Sequence, residues 1–183
     1  MNLQFAFFTL FALPFYCLQA AETKTYPETL TPKTLSEWKD SRDGKVSICL
    51  AVDKTTFSVI ETITVRCALR NNSEKPLTIL RPFGDSYYAH SAGLAILGPE
   101  GAITYQGAMR DYVLGTSSFM KLQPHTVVEE TLALPTAVFP NLNKAGLYTI
   151  RFQFLSDGYP KQPAPESYWQ GQIKAAALTI LIK

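Results

Sequence analysis

An all-β fold, an antiparallel sandwich of about eight strands with a short N-terminal arm, is predicted by three observations. Every periodic segment after Asp40 repeats its apolar residues at alternate positions. No segment there sustains a 3.6-residue apolar period, so helical crossovers, and the parallel sheet they would connect, are not expected. Turn residues separate the alternating runs, as hairpin connections require.

The chain has 183 residues. From Phe5 to Cys17 it reads FAFFTLFALPFYC, an uncharged apolar run of signal-peptide length, followed by Leu18-Gln19-Ala20-Ala21 and then the first charges, Glu22 and Lys24. Residues 1–21 are therefore expected to be an export signal that leaves no stable membrane insertion after cleavage, which places the mature chain in a periplasmic or secreted compartment. The start, Met1-Asn2-Leu3-Gln4, lacks the usual Lys or Arg. The run is shorter than a spanning helix and holds Pro14. The residues before Cys17 are not the small ones a lipoprotein signal uses.

Residues 22–45 read as an arm, polar and interrupted by Pro27 and Pro32. Thr34-Leu35-Ser36-Glu37 has the capping-box spacing, in which a hydroxyl and a carboxylate three apart satisfy each other's free N–H groups, so a short helix through Trp38 is expected.

Residues 46–183 form the domain. Val46, Ile48, Leu50 and Val52 alternate with smaller residues, as do Ile63, Val65, Cys67 and Leu69. Asn71 to Pro76 is a turn, and Leu77 to Leu80 a third strand. Leu94 to Leu97 and Ala102 to Tyr105 flank Gly98-Pro99-Glu100-Gly101, where Pro presets one turn dihedral and Gly permits the left-handed one. Val127 to Leu134, Tyr148 to Phe154 and Leu178 to Ile182 complete the set.

Composition narrows the chemistry. Hydrophobic residues at 46% and charged residues at 17% fit a folded chain. A net charge of +2 without Lys/Arg runs excludes nucleic acid as an expected partner. His90 and His125 stand far apart, no Cys/His spacing suits zinc, and neither a G-x-S-x-G elbow nor a phosphate-cradling or dinucleotide glycine motif occurs. No catalytic residue, metal or cofactor is therefore expected. Glu129 and Glu130 point to opposite faces of a strand, so they cannot act as an acid–base pair and read as solvated edge charges.

Cys49 and Cys67 invite a disulfide in an oxidising compartment. Strand parity opposes it, because Cys67 shares its face with Ile63, Val65 and Leu69 whereas Cys49 lies opposite to Ile48 and Leu50. The pairing stays open. Asn71-Asn72-Ser73 matches a glycosylation acceptor on a turn.

Aromatic residues gather in the connections: Tyr87, Tyr88, His90, Tyr105, Tyr112, Phe119, Tyr159, Tyr168 and Trp169. They either plug the ends of the core or present a binding surface, since Tyr and Trp combine large apolar area with a polar handle. Tyr159, Tyr168 and Trp169 bracket the proline-rich stretch Gly158 to Pro165 and form the leading binding candidate, with Tyr87 and Tyr88 beside them.

The order of features from Ile63 to Ser73, Pro76 to Leu80, Leu122-Gln123-Pro124 before Val127 to Leu134, and Ala145 to Ile150 resembles secreted immunoglobulin-like domains. It is similar to the non-catalytic β-sandwich domain of deuterolysin and peptidyl-Lys-type metallopeptidases and to the BsuPI-type proteinase-inhibitor domain. The H-E-x-x-H helix of those peptidases is missing, so their activity does not carry over. The resemblance implies an immunoglobulin-like sandwich over residues 46–183 in which Tyr148 ties down a loop through its hydroxyl.

The expected function is an exported, non-enzymatic binding or accessory module that meets another protein or an envelope ligand through its loops. Three alternatives remain: a proteinase inhibitor of the BsuPI type; an enzyme without a short motif, centred on His90, Arg110 and Asp111; and an assembly subunit, which would show an unpaired apolar edge strand.

Overall fold

In the computed structural model, residues 34–83, 93–107, 116–156 and 166–183 are described. The export signal, the first half of the arm, Tyr87, Tyr88, His90, Arg110, Asp111, Tyr112 and Tyr159 lie outside them. Twelve strands follow one another: β1 Lys39–Asp40, β2 Val46–Val52, β3 Thr56–Phe57, β4 Ile63–Asn71, β5 Leu77–Leu80, β6 Leu94–Gly98, β7 Gly101–Ile103, β8 Phe119–Leu122, β9 Val127–Leu134, β10 Gly146–Ser156, β11 Gly171–Lys174 and β12 Leu178–Ile182. The fold is all-β, with no α-helix among the described residues. All eight expected segments form strands, although the second arm of the Gly98–Gly101 hairpin is Gly101–Ile103 rather than 102–105. The extra strands, β1, β3, β8 and β11, have two to four residues each, too few to carry a readable period.

One sheet runs β1-β2-β4-β9, antiparallel throughout. Its register pairs Ile48 with Leu69 and Leu50 with Cys67, which puts these side chains on the core face, and Cys49 with Ala68 on the other. Both cysteines are buried on opposite faces with no disulfide between them, and no bulge or rotation of β2 brings them together. Burial pushes the Cys67 thiol well above its ordinary value, with Cys49, Glu130 and Glu129 adding in the same direction.

No helix runs through Trp38. Leu35 instead bridges to Ala51, and Ser36 pairs with Leu50 twice, its N–H donating to the carbonyl and its hydroxyl accepting the N–H, each at 2.8 Å. Backbone pairing with β2 thus outweighs the local capping signal. Trp38 lies 4.9 Å under the Arg70 guanidinium on the outer face, which helps explain why every residue of β2 is buried.

The β4–β9 ribbon continues into β5–β8 through a corner at Asn71. Asn71 is completely buried. Its Nδ2 donates to the carbonyls of Lys75 (2.9 Å) and Leu122 (3.2 Å), and its Oδ1 accepts from the Ser73 N–H (2.9 Å) and hydroxyl (2.7 Å). The glycosylation reading fails here, because the acceptor amide is enclosed and fully bonded.

The larger sheet runs β3-β12-β10-β6-β7, with β11 also paired to β10. β11 and β12 lie along the same edge of β10: Gln153 pairs with Lys174 and Ile150 with Leu178, so Arg151 and Phe152 face three alanines, Ala175 to Ala177. One extra residue makes a bulge, pinned by the Ala175 N–H on the Phe152 carbonyl at 2.9 Å. Among the described residues, the one parallel strand pair is β3 with β12.

Inward residues of both sheets and of β5 and β8 share one core, among them Leu50, Cys67, Leu122, Ile150, Phe154 and Ile180. Tyr148 takes the corner role expected of it. Its hydroxyl donates to the Lys144 carbonyl at 2.6 Å, with the Asn141 carbonyl at 2.9 Å, and clamps the turn that leads into β10.

Candidate functional site

One hairpin turn and one strand handover build a groove beside β11. On one side, Asp40 pairs with Ser47, and the turn between β1 and β2 is held by side chains. The Ser41 hydroxyl donates to Asp43 Oδ1 at 2.6 Å and accepts the Val46 N–H at 3.0 Å, while Gly44 supplies the left-handed residue at φ 70°.

On the other side, the chain leaves the small sheet for the large one. Tyr168 bridges in parallel to Thr78, with the Trp169 N–H on the Thr78 carbonyl at 2.8 Å, before β11 joins β10. Ser156, fully buried at the end of β10, accepts the Leu80 N–H at 3.1 Å and donates to the Trp169 carbonyl at 3.0 Å, so one hydroxyl ties β5, β10 and the entry to β11.

Trp169 joins the two sides. Its ring stacks on Phe154 at 6.1 Å and 12°, leaving 4% of the residue exposed, and its indole N–H donates to Asp43 Oδ2 at 3.1 Å. Partial burial pushes the Asp43 carboxyl up, but the Ser41 hydroxyl, the Lys45 N–H, the indole N–H and the Lys45 charge together hold it below its ordinary value of 3.8. The resulting groove encloses about 820 Å³ and is lined by Ser41, Arg42, Asp43, Trp169, Gln170, Gly171, Gln172 and Lys174. Its chemistry is hydrogen bonding and charge: two cations, two amides and a carboxylate already engaged.

Of the leading binding residues, Trp169 is a core plug that shows the groove one edge, and Tyr168 packs edge-on against Phe119 at 5.7 Å. Tyr105 packs against Phe139 at 5.6 Å. Tyr87, Tyr88 and Tyr159 fall outside the described residues, as does the His90, Arg110 and Asp111 grouping. Sequence reasoning missed Arg42, Asp43, Gln170, Gln172 and Lys174. The Ser41-Arg42-Asp43-Gly44 turn signature was a usable signal for the first side, while Gly171–Lys174 holds one apolar residue and offers none.

Glu129 and Glu130 do point to opposite faces, but they are not solvated edge charges. Glu130 accepts from Arg81 Nη1 at 2.6 Å and from the Phe83 N–H at 2.9 Å, leaving 13% of its side chain exposed. Glu129 is half-buried, and its Oε1 is enclosed without a hydrogen-bond partner. Burial pushes its carboxyl above the ordinary value, against the pull of Arg66.

Among the described residues no helix is long and apolar enough to cross a membrane. No family model and no curated protein matches the chain. Among solved structures it is similar to a "putative lipoprotein" (ycdA) from Bacillus subtilis subsp. subtilis strain 168, at 12% identity and a TM-score of 0.32. The match covers 79% of this chain, which spans 38% of that one.

Proposed function

We propose that the chain is an exported, non-enzymatic binding module with an immunoglobulin-like sandwich, which holds another protein or an envelope ligand in the groove between the Ser41–Gly44 turn and β11. The observation that carries this reading is the groove itself, a concavity of mixed lining with charged and amide side chains in its walls, which the Trp169–Asp43 hydrogen bond ties to each other. The clamp of Tyr148 on Lys144 supports the immunoglobulin-like assignment, since such sandwiches use a tyrosine hydroxyl in that way. The apolar run of residues 5–17 supports export.

Arg42 and Lys174 favour an anionic group on the ligand, with Gln170 and Gln172 as neutral hydrogen-bonding neighbours. The test places a photo-cross-linking residue at Gln172, in the groove, or at Thr179, exposed on β12, in the native host. A discrete adduct from position 172 that is lost on Arg42→Glu and Lys174→Glu exchange is expected. Equal capture from both positions, or capture indifferent to the charge reversals, overturns the groove as the site.

A further inference from the structure

The β4-flanking strand β9 ends its sheet, and among the described residues nothing pairs with its outer edge. Other edges of the two larger sheets are short: β1 and β3 have two residues each, β7 has three, and β11 has four. β9 has eight, Val127–Leu134. Alternate residues of such an edge direct their N–H and C=O groups outward, so about four residues offer an unused ladder.

Natural edges are usually blunted by short length, by charged side chains, lysine above all, by proline or by a bulge. β9 reads VVEETLAL, without Pro or Lys, and pairs with β4 residue for residue from Arg70↔Val127 to Ile63↔Leu134. Its only charges are the two glutamates. Glu130 is taken by Arg81 and the Phe83 N–H. Glu129 is on the opposite face, with no hydrogen bond to its enclosed Oε1, while the Arg66 guanidinium pairs instead with Asp53 at 2.8 Å.

We infer that β9 is a strand-addition site for an extended segment of another protein that places a Lys or Arg opposite Glu129. The main-chain ladder supplies affinity, and the Glu129 carboxylate, which Arg66 attracts but does not hydrogen-bond at Oε1, selects a cation at the facing position. A second copy of this chain is the poorer occupant, because twofold pairing centred on Glu129 or Glu130 sets like charges against each other. The site stands on β9 alone and goes beyond the groove reading. It lies across the sheet from β1, whose turn forms the groove wall.

The purified chain is titrated with synthetic peptides of about nine residues, Thr and Val alternating around one central Lys, while amide hydrogen exchange is followed residue by residue. Slowed exchange confined to outward-facing amides of β9 is expected. Binding should weaken about fivefold when the central Lys is Glu or when the protein carries Glu129→Gln. It should be abolished when the peptide's β9-facing amides are N-methylated. Protection at Gln170–Lys174 instead of β9, affinity indifferent to the central charge, or concentration-dependent self-association that protects β9 without peptide each overturns the inference. Loss of groove cross-linking leaves these readouts unaffected, so the two readings fail separately.

Discussion

The indole N–H of Trp169 donates to Asp43 Oδ2 at 3.1 Å across 126 residues of sequence, and this one bond holds the turn after β1 against the strand entering β11. Both partners are bound elsewhere, Trp169 by its stack on Phe154 and Asp43 by the Ser41 hydroxyl. Both walls of the groove are therefore tied down, so the proposed ligand would meet a site that needs no ordering first.

Asp43→Asn tests that coupling through pH. A carboxylate held below its ordinary value in the folded state adds stability that is complete above the unfolded value and is lost as pH falls through the folded one. Asp43 is held below 3.8. The variant should melt about 2–4 °C below the parent at neutral pH, a small cost because solvent reaches much of the carboxylate. That gap should persist to about pH 5 and close at more acid pH. A gap that is constant down to acid unfolding would mean that the charge of Asp43 contributes nothing.

Ser156→Ala removes a hydroxyl and leaves the Leu80 N–H and the Trp169 carbonyl without their partner inside the protein. Unsatisfied buried groups cost about 1–3 kcal/mol. Urea unfolding should show the unfolding free energy falling by that amount, as a lower midpoint with an unchanged slope, and groove cross-linking should weaken because the entry to β11 is no longer pinned.

Asn71→Ala empties the corner where the β4–β9 ribbon passes into β5–β8. The Leu122 carbonyl loses the Asn71 amide, the Lys75 carbonyl keeps only the Ser73 hydroxyl, and the Ser73 N–H loses its acceptor. A cost of about 2–4 kcal/mol is expected, among the largest for any single polar residue here. Expressed through a glycosylating secretory pathway, the parent protein should carry no glycan at Asn71, as peptide mass mapping would reveal.

The strand pattern was legible because residues such as Val46, Ile48, Leu50 and Val52 report a half-buried pleat wherever they occur, and Tyr148 was legible because it follows Gly146 at a strand start. Trp38 and Ser36 were not. Their capping-box spacing is a local signal, and pairing with β2, distant in sequence, overrode it. The candidate site was half legible. Trp169 was singled out and lines the groove, yet the turn that carries Arg42 and Asp43 meets it through a long-range Asp43–Trp169 hydrogen bond that no spacing rule encodes. Glu130 misled because a single sequence does not reveal that Arg81 and the Phe83 N–H converge on it.

Glu129→Gln should stabilise the protein, and its pH dependence runs opposite to that of Asp43. Burial raises the Glu129 carboxyl above 4.5 against the attraction of Arg66, so the folded state disfavours its ionised form. Stability is thus lost as pH rises from the unfolded value through the folded one, and the penalty is complete above both. The neutral isostere escapes it. A melting temperature about 1–3 °C above the parent is expected at pH 7, shrinking to nothing below about pH 4. A destabilised variant at neutral pH would show instead that attraction to Arg66 outweighs desolvation. If the gain is found together with weaker binding of the lysine-centred peptide, the carboxylate is kept at a cost to stability for the sake of recognition.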